Sequence, residues 1–292
     1  MLQGIDLEAL QGLLSEAVGR RLRVAGATAL GKSTRAAPFK IDVEADSWTA
    51  SYLLRHGEAC SRNEVAALDA MRLHSIPTPR VVFWDEAGSA LGTTLLVAEW
   101  IDGEPLLPAM TAGEPWALDL YLDTACALQA ITAGDLAPGS AGLLEGGGPI
   151  RGVIDAAYDR MPGAVPLREA AYRRLLATQP AVPDTAFGNG DLWPENMLVS
   201  DRRLAGVIDW QHAGWSDPIF EFLLPFFLVP ALRGRGIEEE YCLREGYDPD
   251  LLDWYRGVEY FDSLAWVLKT GEPYGEHTAD SLTGDLERWM AG

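Results

Sequence analysis

Cysteine and histidine are scarce in this chain of 292 residues. The three cysteines, Cys60, Cys126 and Cys242, lie far apart and form no C-x-x-C motif. The four histidines form no pair with the spacing of metal ligands. The sequence therefore predicts a protein of the reducing cytoplasm without a structural zinc site.

Long hydrophobic runs are also missing. The longest apolar run, which starts at Ile219, is interrupted by Glu221, Pro225 and Pro230 and is too short to span a bilayer. The first 22 residues have leucines on one helical face, acids early and arginines late, which is typical of an amphipathic helix and not of a signal peptide. We therefore predict a buried segment at Ile219, no membrane partner and no export.

Positive charge is in short supply. The chain has 23 Lys and Arg against 43 Asp and Glu, a net charge of −20, of which −2 falls in residues 1–100 and −18 in residues 101–292. Such a field repels nucleic acid and anionic lipid, and it concentrates cations near any cleft that it lines. An acidic surface that only keeps the protein soluble is equally consistent with this charge.

The periodicity of apolar residues predicts two domains. Strand-like pieces, one helix and two more strands come first, and the rest is mostly helical apart from a short hairpin. The strand-like pieces are 21–26, 37–46, 47–57 and two strands within 80–103; the helix is 61–74 and the hairpin is 197–209. We predict a small antiparallel-sheet domain in residues 1–100, a connector near 99–103 and a larger helical domain in 101–292.

The stretch GATALGKST, residues 26–34, fits the P-loop pattern G-x-x-x-x-G-K-[ST]. A P-loop needs a helix directly after the pattern, within a parallel β-α-β unit. Here Pro38 and strand-like alternation follow, so a P-loop NTPase is the least favoured interpretation. Two others remain: a turn whose amides, with the Ser33 hydroxyl, cover nucleotide phosphates, and an ordinary hairpin turn.

Residues 187–210, FGNGDLWPENMLVSDRRLAGVIDW, contain the strongest functional signal. Asp191 and Asn196 have the spacing D-x-x-x-x-N, by which phosphoryl-transfer loops place a carboxylate beside the attacking hydroxyl and an amide oxygen on Mg²⁺. The hairpin that follows should return Asp209 close to Asn196. One carboxylate and one amide oxygen suit Mg²⁺. Each acid taken alone fits a turn or cap residue better, but the three residues at these spacings on a loop and a hairpin reverse that preference.

These motifs resemble the aminoglycoside phosphotransferase family of small-molecule kinases. The resemblance covers most of the chain: YLLR, NEVAALDAM, IPTPRVV, LLVAEWIDGEPL, GDLWPENMLV and GVIDWQHAGWSDP. It implies an α+β, bilobal, protein-kinase-like fold with a small antiparallel-sheet N-lobe containing one helix and a larger, mainly helical C-lobe. The family usually has His where Asn189 stands, two residues before the catalytic Asp.

The resemblance also implies roles for single residues. Asp191 would be the catalytic base, Arg55 would hold the α- and β-phosphates, and Glu64 would pair with Arg55. The adenine would bond backbone groups near Glu99 and Ile101. ATP or GTP and Mg²⁺ are the implied co-substrate and cofactor.

Three residues have competing interpretations. Ser61 to Glu64, SRNE, also fits a capping box, in which the Glu reaches back to the N-cap amide. Asp217 fits a helix cap or a supporting acid better than a metal ligand. Lys32, the lysine of the P-loop pattern, also fits an ordinary positively charged residue of a loop.

The predicted activity is transfer of the nucleotide γ-phosphate to a hydroxyl of a cationic acceptor, such as an aminoglycoside or another antibiotic. Aromatic residues flanked by acids on a C-terminal helix would suit such an acceptor, although core packing explains them as well. These residues are Trp254, Tyr255, Tyr260, Trp266, Asp253, Glu259 and Asp262. The alternatives are a kinase of choline, homoserine or a sugar, and a catalytically silent nucleotide-binding regulator. The sequence predicts no particular oligomeric state.

Overall fold

The structure, a computed structural model, describes residues 5–30 and 37–292. Ser33 and Lys32 therefore lie outside the described residues. The chain forms two compact units. Unit 1 comprises Met1–Glu104, Ala133–Glu145 and Leu198–Ala213, and unit 2 comprises Pro105–Thr132, Gly146–Met197 and Gly214–Gly292. The division at residue 100 stays a prediction, and each unit is described by itself.

The described chain has strands and helices with the following bounds. The strands are β1 (Arg23–Ala29), β2 (Phe39–Ala45), β3 (Trp48–His56), β4 (Val81–Asp85), β5 (Leu95–Glu99), β6 (Glu104–Pro105), β7 (Gly146–Gly148), β8 (Ala186–Gly188), β9 (Met197–Ser200), β10 (Arg203–Val207) and β11 (Gly214–Ser216). The α-helices are α1 (Leu7–Val18), α2 (Arg62–Met71), α3 (Leu107–Thr111), α4 (Pro115–Gln129), α5 (Ile150–Arg160), α6 (Leu167–Ala177), α7 (Pro218–Leu228), α8 (Ile237–Glu245), α9 (Leu251–Thr270) and α10 (Ala279–Ala291).

Unit 1 is built on a five-stranded antiparallel sheet with the order β1-β2-β3-β5-β4. Its strands form because apolar residues alternate with polar ones, as in β2, where Phe39, Ile41 and Val43 are buried. These side chains share a core with Leu10 and Leu14 of the amphipathic α1. The predicted small antiparallel sheet is thereby confirmed.

The pairing of β1 with β2 removes the P-loop alternative. The two strands are consecutive along the chain and antiparallel, with Ala29 opposite Phe39. A P-loop instead joins its strand to a helix inside a parallel β-α-β unit. The GATALGKST pattern therefore begins within β1, whose partner β2 is antiparallel, and its residues 31–34 lie outside the described residues.

The predicted hairpin of residues 197–209 is present as β9 and β10, which are neighbours in a second sheet of order β10-β9-β6. Its turn consists of Asp201 and Arg202, both with positive φ (49° and 59°). Two such residues in succession define the tight turn that matches the twist of a hairpin. Val207 N donates to Pro77 O (3.0 Å), which ties β10 to the chain before β4.

Unit 2 is mainly helical and has an aromatic core. The run that begins at Ile219 forms the buried α7, as predicted, and Phe222 of this helix stacks on Tyr241 with ring centroids 3.8 Å apart. Among the described residues, no helix has both the length and the apolar composition that a membrane span requires. The helical nature predicted for this part of the chain is confirmed.

A small sheet in unit 2, of order β7-β11-β8, was not predicted. Each strand has three residues, too few to show an alternating pattern. Gly214 lies so close to the backbone of Gly146 that a Cβ atom at 214 would overlap the Gly146 carbonyl. Glycine is therefore required where these strands meet.

Candidate active site

The loop that follows β8 in unit 2 brings Asp191 and Asn196 together. Asn196 Nδ2 donates to Asp191 Oδ2 (3.0 Å) and to Asp191 O (3.1 Å). The amide nitrogen of Asn196 is thus committed to Asp191, which leaves the amide oxygen as its atom for a cation. The carboxylate in turn is held at a defined place on the loop.

Asn189 fixes the same loop from the other side. Its side chain is fully buried, Nδ2 donates to Asp191 O (3.1 Å), and Asp191 N donates to Asn189 Oδ1 (3.3 Å). An amide at this position therefore bonds both backbone groups of Asp191. Asn189 thus orients the loop by local hydrogen bonds where the family usually has His.

Glu221 of α7 supports the loop and was not predicted as a site residue. Gly190 N donates to its Oε1 (3.0 Å) and Ser216 Oγ donates to its Oε2 (2.6 Å). Burial raises the pKa of Glu221, and the two hydrogen bonds oppose that rise. A Cβ atom at Gly188 would overlap this carboxylate, so glycine there makes room for it. The available signal was an acid inside the longest apolar run.

Tyr121 of α4 is a second support that the sequence did not reveal. Its hydroxyl is fully buried and lies 3.0 Å from Leu192 O and 3.1 Å from Phe222 O. The loop is thereby connected to both α4 and α7. A tyrosine within an amphipathic helical pattern has no feature that would distinguish this role from ordinary packing.

In unit 1, Arg55 at the end of β3 lies next to two carboxylates. Arg55 Nε is 3.3 Å from Glu64 Oε2, and Arg55 Nη2 is 3.4 Å from Asp209 Oδ1. The Arg55 and Glu64 side chains are 15% and 4% exposed, so solvent screens this pair weakly. The structure thus brings three of the predicted site residues into one cluster.

The competing interpretation of Glu64 as half of a capping box is not realised. Ser61 is the N-cap of α2 and accepts from Glu64 N (3.2 Å), but the Glu64 carboxylate faces Arg55. Only one of the two reciprocal bonds of a capping box is present. The backbone N–H of Glu64 therefore donates to the N-cap of α2, and its side chain forms an ion pair with Arg55.

Burial raises the pKa of the Glu64 carboxyl to about 7. The nearby Arg55 lowers the pKa, but by less than burial raises it, and the negative charge of Asp209 raises the pKa further. The ion pair with Arg55 thus favours the charged carboxylate and burial favours the neutral acid, and burial has the larger effect. Near neutral pH, Glu64 is consequently close to the midpoint of its titration.

We predict that Glu64 makes stability pH-dependent. Its pKa is about 7 in the folded chain and near 4.5 in the unfolded one, so the folded state binds more protons between these pH values. The free energy of unfolding of the wild type, relative to Glu64→Gln, should therefore fall as the pH rises through this window. Denaturation at pH 5 and pH 7.5 measures this. Glu58→Gln, at an exposed residue, should show no such difference, and curves for wild type and Glu64→Gln that stay parallel would contradict the prediction.

The segment that carries Asp209 is held by two residues of unit 1. Asp209 has a positive φ of 59°, and the buried Trp210 donates from Nε1 to Val207 O (2.8 Å). Asn63 Nδ2 donates to Gln211 O (3.1 Å) and Ala213 O (2.8 Å), and Asn63 Oδ1 accepts from Glu145 N (2.7 Å). Asn63 thus connects the start of α2 to the segment that follows Asp209 and to the segment at Glu145. Its position near a helix start gave no indication of this role.

Asn196 and Asp209 have the chemistry of magnesium ligands. Both offer hard oxygen atoms, and the Asp209 side chain is 27% exposed, so it can be reached. Among residues 5–30 and 37–292, no three His, Cys, Asp or Glu side chains form a metal-binding group. Asn196 belongs to unit 2 and Asp209 to unit 1, so their pairing on one ion stays a prediction.

The predicted adenine contacts lie at the end of β5. Glu99 N donates to Arg80 O (2.8 Å) within the sheet, and the Glu99 carboxylate pairs with the Arg80 guanidinium (2.6 Å). The Glu99 N–H is therefore already used. An adenine contact at this connector is left to other backbone groups, among them those of Ile101.

Two of the four aromatic residues predicted for acceptor binding, Trp254 and Tyr255, are core residues. Trp254 Nε1 donates to Leu175 O (3.1 Å), and Tyr255 OH donates to Asp217 Oδ2 (2.7 Å). Asp217 is also the N-cap of α7, which confirms its role as a capping acid. Asp262 pairs with Arg160 (3.1 Å). Of the other four, Trp266 packs on Tyr274 with ring centroids 5.1 Å apart, Asp253 is exposed, and Glu259 and Tyr260 line a cavity.

Comparison with known proteins places this geometry in context. The model of the phosphotransferase enzyme family matches residues 43–257. No curated protein sequence matches the chain significantly.

Solved structures of three aminoglycoside phosphotransferases are similar to the chain. A putative aminoglycoside phosphotransferase from Ralstonia eutropha JMP134 has a TM-score of 0.69 at 15% identity, with 98% of this chain and 96% of that chain covered. A thermostable mutant of APH(4)-Ia in a ternary complex with AMP-PNP and hygromycin B has a TM-score of 0.66 at 18% identity, with 97% and 98% covered. A GDP and kanamycin complex of APH(2")-IIIa has a TM-score of 0.62 at 17% identity, with 92% and 94% covered. These similarities confirm the kinase-like fold.

Proposed function

Since the chain belongs to the phosphotransferase enzyme family, we propose that this small-molecule kinase transfers the γ-phosphate of ATP or GTP to a hydroxyl of a cationic acceptor. The hydrogen bond between the Asp191 carboxylate and the Asn196 amide carries the proposal, because it joins the proton acceptor to the magnesium ligand. The complexes of similar proteins with AMP-PNP, ADP and GDP support a nucleotide co-substrate, and those with hygromycin B and kanamycin support an aminoglycoside acceptor.

Asp191 would orient the acceptor hydroxyl and accept its proton late in the reaction. Phosphoryl transfer has a loose transition state, so the protein acts mainly by positioning groups and neutralising charge. Asn189, Glu221 and Tyr121 hold the loop and thereby keep the carboxylate in place. This rigidity favours a working enzyme over a catalytically silent regulator.

Arg55 would bind the nucleotide phosphates, with Glu64 fixing its guanidinium. Asn196 and Asp209 would hold Mg²⁺, which would supply positive charge against the nucleotide phosphates. Arg55 also lies next to Asp209, so one cation of the protein is already placed beside the predicted metal ligand. The Ser33 hydroxyl and neighbouring amides would complete the phosphate contacts.

We predict that Asp209→Asn raises the Mg²⁺ concentration needed for half-maximal activity at least about tenfold. The change removes one ligand charge, and Asn tolerates the positive φ of this residue, so the backbone should be unaffected. Asp201→Asn is the matched control, because Asp201 also has a positive φ but lies in the hairpin turn. Magnesium titration of turnover measures the effect, and equal titration curves for the two variants would contradict the assignment.

A screen of acceptors tests the proposed activity. Phosphate transfer or Mg²⁺-dependent hydrolysis of ATP and GTP would be measured with aminoglycosides, other antibiotics, choline, homoserine and sugars. Stimulation by aminoglycosides is expected. Stimulation by a metabolite alone would favour the metabolite-kinase alternative, and nucleotide binding without any turnover would favour the silent regulator.

A further inference from the structure

A cavity of about 270 Å³ lies in unit 2 among α7, α8, α9 and α10. Aromatic and charged side chains dominate its lining: Phe226, Phe227, Arg233, Glu238, Arg256, Glu259, Tyr260, His277 and Asp285. No residue of the loop 189–196 lines it. The cavity is therefore a feature of the C-terminal helices and distinct in its lining from the loop that carries Asp191.

Glu259 of α9 is the exceptional residue of this cavity. Its side chain is 2% exposed, and Glu259 Oε1 has no hydrogen-bond partner among the described residues. Leaving a buried carboxyl oxygen without a partner is costly, and such an atom needs an explanation. Burial raises the pKa of Glu259 well above its ordinary value, and the charge of Asp262 adds to the rise.

The other charged groups of the lining already have partners. Arg233 donates to Phe226 O (3.2 Å) and to Phe227 O. Arg256 lies 3.6 Å from Glu238.

Asp285, the third acid of the lining, pairs with Arg288. Glu259 is thus the acid in this lining for which no cation is provided. An ionised Glu259 carboxylate would therefore need one positive group in the cavity as its counter-ion.

Three rings line the cavity together with Glu259. His277 stacks on Phe227 with centroids 4.5 Å apart, and Tyr260 meets Phe227 edge to face at 5.7 Å. Ring faces attract cations, and more strongly where water is excluded. The volume of about 270 Å³ is slightly below that of sites for drug-sized ligands, so it suits a small molecule or one substituent of a larger one.

We propose that this cavity binds one organic ammonium group, with the Glu259 carboxylate as its counter-ion and the rings of Phe227 and Tyr260 as its wall. The group could be the amine of the acceptor or that of a separate small ligand, since both have the same chemistry. The proposal depends on the cavity and does not require the activity proposed above.

Binding of three small probes to the full chain tests this proposal. Benzylamine, benzyl alcohol and benzoate have similar shapes and differ in charge. In calorimetry without nucleotide, benzylamine should bind at least about tenfold more tightly than either of the others, and Glu259→Gln should remove this preference. Glu287→Gln, at an exposed residue of α10, should retain it.

A second measurement on the wild type protects the test if Glu259→Gln fails to fold. Burial raises the pKa of Glu259 and a bound ammonium group would lower it, so benzylamine binding should favour release of a proton, seen as a heat that depends on the buffer. Equal affinities for the three probes, or binding of benzylamine that Glu259→Gln leaves unchanged, would overturn the proposal.

The source of the amine can then be distinguished. If the amine belongs to the acceptor, benzylamine should compete with whichever acceptor supports turnover, and Glu259→Gln should raise the KM of that acceptor more than it lowers kcat. If the amine belongs to a separate ligand, benzylamine should bind without competing. If the protein shows no kinase activity but still binds benzylamine through Glu259, the result supports the ammonium site and not the proposed activity.

Discussion

Asp191→Ala should lower phosphoryl transfer at least about a hundredfold, the order of magnitude of a positioned proton acceptor, and retain nucleotide binding. The carboxylate is the group that would meet the acceptor hydroxyl, whereas the nucleotide contacts are assigned to Arg55, Glu64 and backbone groups. The Asn196 amide would also lose one of its two bonds to residue 191. Turnover with any acceptor found in the screen, and nucleotide affinity by calorimetry, measure the two effects.

Two variants control this experiment. Asp191→Asn keeps an oxygen that can accept from Asn196 but cannot take a proton at neutral pH, so it should be nearly as inactive as the alanine variant. Asp184→Ala, at an exposed residue before β8, should be fully active. Unchanged turnover of Asp191→Ala would refute the assignment of the catalytic base.

Asn63→Ala should lower the free energy of unfolding by about 3 kcal/mol, roughly 1 kcal/mol for each backbone group that loses its partner. Those groups are Gln211 O, Ala213 O and Glu145 N. Because the first two follow Asp209 closely, the nucleotide and Mg²⁺ should also bind roughly tenfold more weakly. Chemical denaturation and calorimetry measure the two effects.

The start of α2 needs a separate control. Ser61→Ala removes the helix cap and should cost about 1 kcal/mol, with little effect on Mg²⁺ affinity. Asn63→Asp keeps the acceptor for Glu145 N but places a carboxyl against two carbonyl oxygens, so it should be at least as harmful as alanine. If the free energy of unfolding of Asn63→Ala lies within about 0.5 kcal/mol of that of the wild type, Asn63 does not hold the segment after Asp209.

The parts of this protein that were predictable from sequence are those with a local signature. The strands β2 and β3 alternate in burial, and the helices have apolar stripes, so their bounds were close to those observed. Asp191 and Asn196 are five residues apart, and one turn of the loop is enough to join them. Short strands such as β7 were missed because three glycines carry no pattern.

The supports of the site were missed because they come from distant parts of the chain. Tyr121 lies 71 residues before its partner Leu192, and Asn63 lies 148 residues before Gln211. Each has the residue type that packing or a helix start would also select, so a single sequence offers no means to recognise the contact. Glu221 was visible as an acid in an apolar run, but its partner was not.

Gly188 and Glu221 constrain each other's identity. Any side chain at 188 would enter the space of the Glu221 carboxylate, which itself binds Gly190. A mutational library that varies residue 188 alone should therefore recover only glycine. A larger residue would become acceptable there when residue 221 is shortened in the same gene, so the two codons would have to be randomised together.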